Sequence, residues 1–235
     1  MNQDKKHTPQ FKTLFCLTLY QGLNYRFRTA FLALLLFFSL SLVFNVQASS
    51  LDPSILKEGD IIFHESLSKQ SKALKLATKS RYTHIGILFR FGQELKVLEA
   101  VEPVRITELE SFIARGKNRH FVIKRLNNFD QHLSDQKIQK MKDYGRSFLG
   151  RHYDPFFEWS DERIYCTELV WKIYKKIIGV ELGPLSHLSD FDLSDPFVQK
   201  MMKARYGSKI PYHENVMSPS DMFKSELLVT VIEKN

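Results

Sequence analysis

Residues 163–179, Arg-Ile-Tyr-Cys-Thr-Glu-Leu-Val-Trp-Lys-Ile-Tyr-Lys-Lys-Ile-Ile-Gly, constrain the fold of this chain more than any other stretch. Leu169, Val170, Ile173, Ile177 and Ile178 recur at helical spacing, with Lys172, Lys175 and Lys176 opposite. The segment is therefore a helix that has to bury one stripe, and Gly179 is a natural stop for it. Cys166 falls in its first turn, where unpaired backbone N–H groups and the positive end of the macrodipole favour an anion. A thiol in that position is either a small core residue or a nucleophile, and the choice depends on the compartment.

The start of the chain speaks to the compartment. Residues 1–28 carry Lys5, Lys6, Lys12, Arg26 and Arg28 against Asp4 alone, residues 30–46 are almost wholly apolar, and Val46-Gln47-Ala48 offers small residues before Ser49-Ser50. That order describes a signal peptide over residues 1–48, cleaved after Ala48, with the product periplasmic or extracellular. The apolar run is also close to the shortest that spans a bilayer, which leaves an uncleaved membrane anchor as the alternative. No cysteine follows the apolar run at the cleavage point, which argues against a lipid-modified N-terminus.

Removing residues 1–48 takes 5 of the 34 Lys and Arg and 1 of the 26 Asp and Glu, leaving 29 against 25. With so small a surplus and no basic cluster, no nucleic acid footprint is indicated. Cys16 leaves with the leader, so the 49–235 domain keeps a single cysteine. A lone thiol in an oxidising compartment has no intramolecular partner and needs a reason to persist, either burial or catalysis.

Residues 49–235 are long enough for one domain with a proper core, with no repeat and no flexible linker. A turn at Leu56-Lys57-Glu58-Gly59-Asp60 delivers a strand over 61–64, and a helix follows over about 68–79. Residues 82–89 alternate as a strand, with Tyr82, His84, Gly86 and Leu88 on one face. Gly86 marks a place where another backbone or a ligand comes close to His84. After the turn Phe91-Gly92-Gln93-Glu94, residues 95–101 return as a hairpin partner, with Glu99 a carboxylate in an apolar strand. Such a group needs a partner unless it sits at a solvated edge, and an imidazole on the neighbouring strand would serve.

Thr107-Glu108-Leu109-Glu110 matches a capping box for a short helix ending at Gly116, and residues 120–126 form another strand. Ser134 or Asp135 opens a helix with the stripe Ile138, Met141, Tyr144 and Phe148. An aromatic loop over 153–159 leads into the cysteine helix, Asp195-Pro196 caps a helix to about Tyr206, and a strand over 227–232 closes the chain.

A cysteine at a helix start, a histidine on a strand and a carboxylate on the adjacent strand are the parts of an activated thiol. The imidazole takes the thiol proton and returns it to the leaving group, and the carboxylate fixes the ring. The backbone N–H of Cys166 could stabilise an oxyanion, and Tyr165 is either an auxiliary donor through its hydroxyl or packing beneath the helix. The eight histidines show no ligand spacing and no phosphate-cradling glycine loop occurs, so neither a metal nor another cofactor is expected.

Gly59-Asp60-Ile61-Ile62-Phe63, Tyr82-Thr83-His84-Ile85-Gly86-Ile87, Leu98-Glu99-Ala100 and Tyr165-Cys166-Thr167-Glu168-Leu169-Val170 resemble the ordered motifs of the permuted papain-like enzymes. More closely, they are similar to the YiiX-like branch of the NlpC-type cysteine peptidase superfamily, from about Leu56 to the C-terminus. The histidine precedes the cysteine here, as the circularly permuted branch requires. The resemblance implies an α+β fold with a small antiparallel, partly barrel-like sheet packed on the nucleophile helix. It also implies Cys166 as nucleophile, His84 as base and Glu99 as the orienting residue. Thr167 stands where serine is the more frequent residue.

Three functions follow for comparison. The first is an exported thiol hydrolase that cleaves an amide in an envelope peptide or related acyl compound. The second uses the same Cys-His site as a lipid acyltransferase or esterase, with Phe156, Phe157 and Trp159 suggesting contact with a membrane surface. The third is a non-catalytic envelope binding protein.

Overall fold

The computed structural model describes residues 52–234, and the expected leader, its cleavage point and Cys16 lie outside the described residues. Six antiparallel strands form the main sheet: β1 (Ile61–Ser66), β2 (His84–Phe91), β3 (Glu94–Glu99), β4 (Arg105–Glu108), β5 (Gly116–Leu126) and β10 (Leu228–Lys234). Their order across the sheet is β10-β5-β1-β2-β3-β4. Two short ribbons complete the pairing: parallel β6 (His152–Tyr153) with β7 (Arg163–Ile164), and antiparallel β8 (Ser186–His187) with β9 (Asn215–Val216). The helices are α1 (Lys69–Thr78), α2 (Leu109–Arg115), α3 (Phe129–His132), α4 (Asp135–Arg146), α5 (Cys166–Ile178), α6 (Pro196–Tyr206) and α7 (Pro219–Lys224).

The helical stripe of α5 does what its spacing requires. Leu169, Val170, Ile173 and Tyr174 are fully buried against Ile85, Ile87 and Leu98 of the sheet, so burial of one face fixes the helix across β2. Gly179 ends it at φ +74°, in the left-handed region that glycine enters without a Cβ penalty. Tyr174 donates to the Gly59 carbonyl at 2.5 Å, tying the helix to the turn before β1. Asp60 in that turn is fully buried and paired with Arg125, whose Nε and Nη2 donate to its two oxygens at 2.6 and 2.7 Å. The bidentate pair offsets the cost of burying the carboxylate. Among the described residues no helix is long and apolar enough to cross a membrane.

The hairpin of β2 and β3 forms in the expected place, with Ile87 opposite Leu98. Gly86 is required there. A Cβ on it would lie 2.3 Å from Val97 Cγ1 and 3.1 Å from the Leu98 carbonyl oxygen, so β3 approaches β2 closely only because residue 86 has no side chain.

Two expectations are corrected. Thr107 does not cap a helix: it is part of β4, α2 starts after Glu108 without a side-chain cap, and the Thr107 hydroxyl goes to Glu99 at 2.5 Å. A long-range partner with a buried charge has outcompeted the local cap. The strand expected over 120–126 begins at Gly116, because its polar start crosses an irregularity that lets Ser66 pair with Gly116. Asn118 and Arg119 there take φ of +56° and +59°, a backbone excursion that masks the strand period.

Candidate active site

Two element starts meet at the site. Cys166 is the first residue of α5 and His84 the first of β2, and the Cys166 side chain is close enough to be the leading influence favouring the protonated ring of His84. His84 Nε2 lies 2.7 Å from Glu99 Oε2, which leaves Nδ1 as the ring nitrogen for the sulfur. The three side chains proposed from sequence are thus brought into one chain of contacts.

Glu99 has no exposed surface, and an isolated carboxylate there would be far too costly. It is held by His84 on one oxygen, and by the Thr107 hydroxyl and Arg115 Nη2 on the other, with Arg105 Nε 3.7 Å away. Burial works to raise its pKa, but the His84 hydrogen bond and charge, aided by Arg115 and Thr107, prevail and hold it down at about 2. The same exchange acts on His84. Burial favours the neutral ring, yet the hydrogen bonds to Cys166 and Glu99 and their negative charges push it up to about 9. The ring is therefore a cation at neutral pH.

Two further residues, His64 and Tyr153, lie at the site and were not singled out from sequence. His64 lies directly across from His84 in the β1–β2 pairing, with ring centroids 5.3 Å apart, and stacks on Phe112 at 4.3 Å. Burial, with the nearby charges of His84 and Arg115, drives its pKa down to about 3, so His64 is a neutral wall beneath the charged ring. Tyr153 is half-buried and lines the same cavity as Cys166. Burial and the negative charge of Cys166 keep its phenol well above the ordinary range, so the hydroxyl stays protonated. Its oxygen accepts from Gln70 Nε2 at 2.8 Å, and Gln70 Oε1 in turn accepts from Arg205 Nη2 at 3.0 Å. The only sequence signal for Tyr153 was its place in an aromatic loop.

Tyr165 takes the packing alternative. Its ring is 1% exposed and meets Phe157 edge to face at 5.2 Å, and its oxygen accepts the Met217 N–H at 3.2 Å. Thr167, the departure from serine, donates to the Met217 carbonyl at 2.5 Å, so residue 167 anchors the start of α5 and leaves the sulfur free.

Two cavities flank these residues. One encloses about 720 Å³, its mouth included, and reaches Cys166. Its walls come from Ala73 and Leu74 of α1, Phe157, Met201 and Met202 of α6, and Met217, and they are almost wholly apolar. The other, about 960 Å³ with its mouth, is the more polar of the two, with a mixed lining, and reaches His84, His64, Thr83, Arg115 and Arg163. Gln70 and Tyr153 line both, forming the wall between them.

The model of the family described as "Permuted papain-like amidase enzyme, YaeF/YiiX, C92 family" matches residues 55–232. The chain belongs to this permuted papain-like amidase family. It is 42% identical over 195 residues to the uncharacterized protein YiiX of Escherichia coli (strain K12), covering 83% of this chain and 94% of that protein. The crystal structure of YiiX from Escherichia coli O157:H7, described as a metalloprotein, superposes with a TM-score of 0.72 at 43% identity, covering 76% of this chain and 97% of that one. The permuted papain-like fold expected from the order of His84 before Cys166 is therefore the fold of the family.

Proposed function

We propose that this protein is a cysteine hydrolase of acyl linkages, with an amide as the bond cleaved and Cys166 as the nucleophile. The observation that carries this is the contact chain from Cys166 through His84 to the buried Glu99, set at the mouth of a cavity that reaches the sulfur. Membership of an amidase family supports the same chemistry.

With the proton of the Cys166–His84 pair held on His84, the sulfur attacks the carbonyl carbon, forming a C–S bond as the C=O π electrons move to the oxygen. The oxyanion is met by the backbone N–H of Cys166, which has no acceptor within its helix, and by the Tyr153 hydroxyl. As the C–N bond breaks, His84 gives its proton to the departing nitrogen. A water deprotonated by His84 then hydrolyses the thioester and restores the thiol. Glu99 holds the ring orientation throughout.

The apolar lining beside Cys166 favours a substrate whose acyl portion is itself apolar, which brings the lipid reading and the amide reading together. Among the described residues no three of His, Cys, Asp and Glu are grouped to hold an ion, and each step above uses the chain's own groups. Export to the envelope is part of this proposal and is supported by the order of basic, apolar and small residues before Ser49. Mass spectrometry of the protein from an envelope fraction should find the N-terminus at Ser49.

An electrophilic acyl amide probe should label Cys166 in the wild-type chain and fail to label the His84→Ala variant. Equal labelling of the two would count against the mechanism.

A further inference from the structure

The polar cavity on the His84 side has no role in holding the acyl group, and its chemistry differs sharply from that of the apolar one. Resting on the acyl hydrolase reading, we propose that this cleft binds the amine portion of the substrate and recognises a carboxylate on it through Arg163 and Arg115. The substrate class is then an N-acyl amino acid or an acylated peptide end: apolar on the acyl side and anionic on the amine side.

The direction follows from the reaction. His84 has to deliver a proton to the departing nitrogen, so that nitrogen lies on the His84 side of the sulfur. The cavity on that side is the polar one, whereas the apolar cavity is reached by Cys166. Gln70 and Tyr153 stand between them, so a substrate lying across this wall places its carbonyl beside Cys166 and its amine substituent in the polar cleft.

The charge in the cleft points to an anion. Arg163 is exposed in the short strand β7, and its guanidinium makes no hydrogen bond or ion pair among the described residues, feeling Glu102 and Asp154 only at a distance. Arg115 is exposed, donates from Nη2 to Glu99 and lines the cleft, which leaves its other N–H donors for a ligand there. The one carboxylate in the lining besides the substrate's own, Glu102, is already engaged by His152 Nδ1 at 2.6 Å and by the Tyr153 N–H at 2.9 Å. Two guanidinium forks beside a cationic imidazole suit a planar carboxylate better than a neutral amide.

Binding can be measured without turnover on the full-length Cys166→Ala protein, by calorimetric titration with N-octanoylglycine and with N-octanoylglycinamide. These differ only in the charge of the amine-side group. The carboxylate should bind about tenfold more tightly, as a charge-assisted pair implies, and Arg163→Gln in the same background should bring the ratio close to one. Equal affinities, a ratio unchanged by Arg163→Gln, or no binding of either compound would overturn the proposal. Labelling of Cys166 by an acyl probe in the wild-type chain tests the hydrolase reading separately. A carboxylate preference without labelling would retire the reaction and keep the cleft, and labelling without the preference would do the reverse.

Discussion

Glu99 carries a charge where no water reaches it, and the residues around it are chosen accordingly. Thr107 supplies a hydroxyl at 2.5 Å, and replacing it with the isosteric valine would leave one oxygen with a partner fewer. Thr107→Val should cost roughly 1–3 kcal/mol in urea unfolding, the penalty for an under-satisfied buried acceptor. The His84–Glu99 pair also predicts a pH dependence. His84 is raised from 6.5 to about 9 on folding, so its contribution is fully present below about 6.5 and fades as pH rises through 9. Glu99 is lowered from 4.5 to about 2, so its contribution is present above about 4.5 and fades as pH falls through 2. The stability gap between wild type and His84→Ala should therefore be widest near pH 5–6 and narrow toward pH 9. In NMR titrations the His84 ring should lose its proton near pH 9, and Glu99→Gln should move that midpoint down.

At the scale of elements, the site depends on how closely β3 lies against β2. The sheet positions Glu99 on His84 only while residue 86 stays without a side chain, since a Cβ would sit 2.3 Å from Val97 Cγ1. Gly86→Ala should destabilise the fold by about 1–3 kcal/mol, as overpacking does, and slow the labelling of Cys166 by more than that loss of folded protein accounts for. The comparison of urea midpoints with labelling rates at full folding separates the two effects. Helix α5 was legible from its own residues, because a 3.6-residue stripe has to face the core wherever the helix lies. Helix α6 was equally so, with Asp195 accepting from the Phe197 N–H at 2.8 Å as the cap expected of Asp-Pro. Residues 107–110 were misread because the cap motif is a local pattern, and Thr107 answers to a carboxylate eight residues away on the neighbouring strand.

The whole molecule adds what no single element contains, a nucleophile between an apolar and a polar cavity. The apolar one is walled by α1, α6 and the segments around Phe157 and Met217, which meet only on folding. Its depth should set which acyl chains are accepted. Ala73→Phe would fill part of it, and the ratio of kcat/KM for a long-chain over a short-chain acyl amide should fall by about tenfold, a change within the range of a few methylene contacts. An unchanged chain-length profile in acyl amide assays would place the acyl group elsewhere.

Read alone, the chain determined the elements with a strong period or a clear cap, the order of His84 before Cys166, and the residue types an activated thiol needs. Those properties are carried by neighbours along the backbone. Only the tertiary structure decided that the Tyr165 oxygen is taken by the Met217 N–H while Tyr153 lines the cavity that reaches Cys166, that His64 lies across from His84, and that Arg163 and Arg115 share a cleft. Those relations join residues dozens of positions apart, and their partners are selected by burial and charge in space.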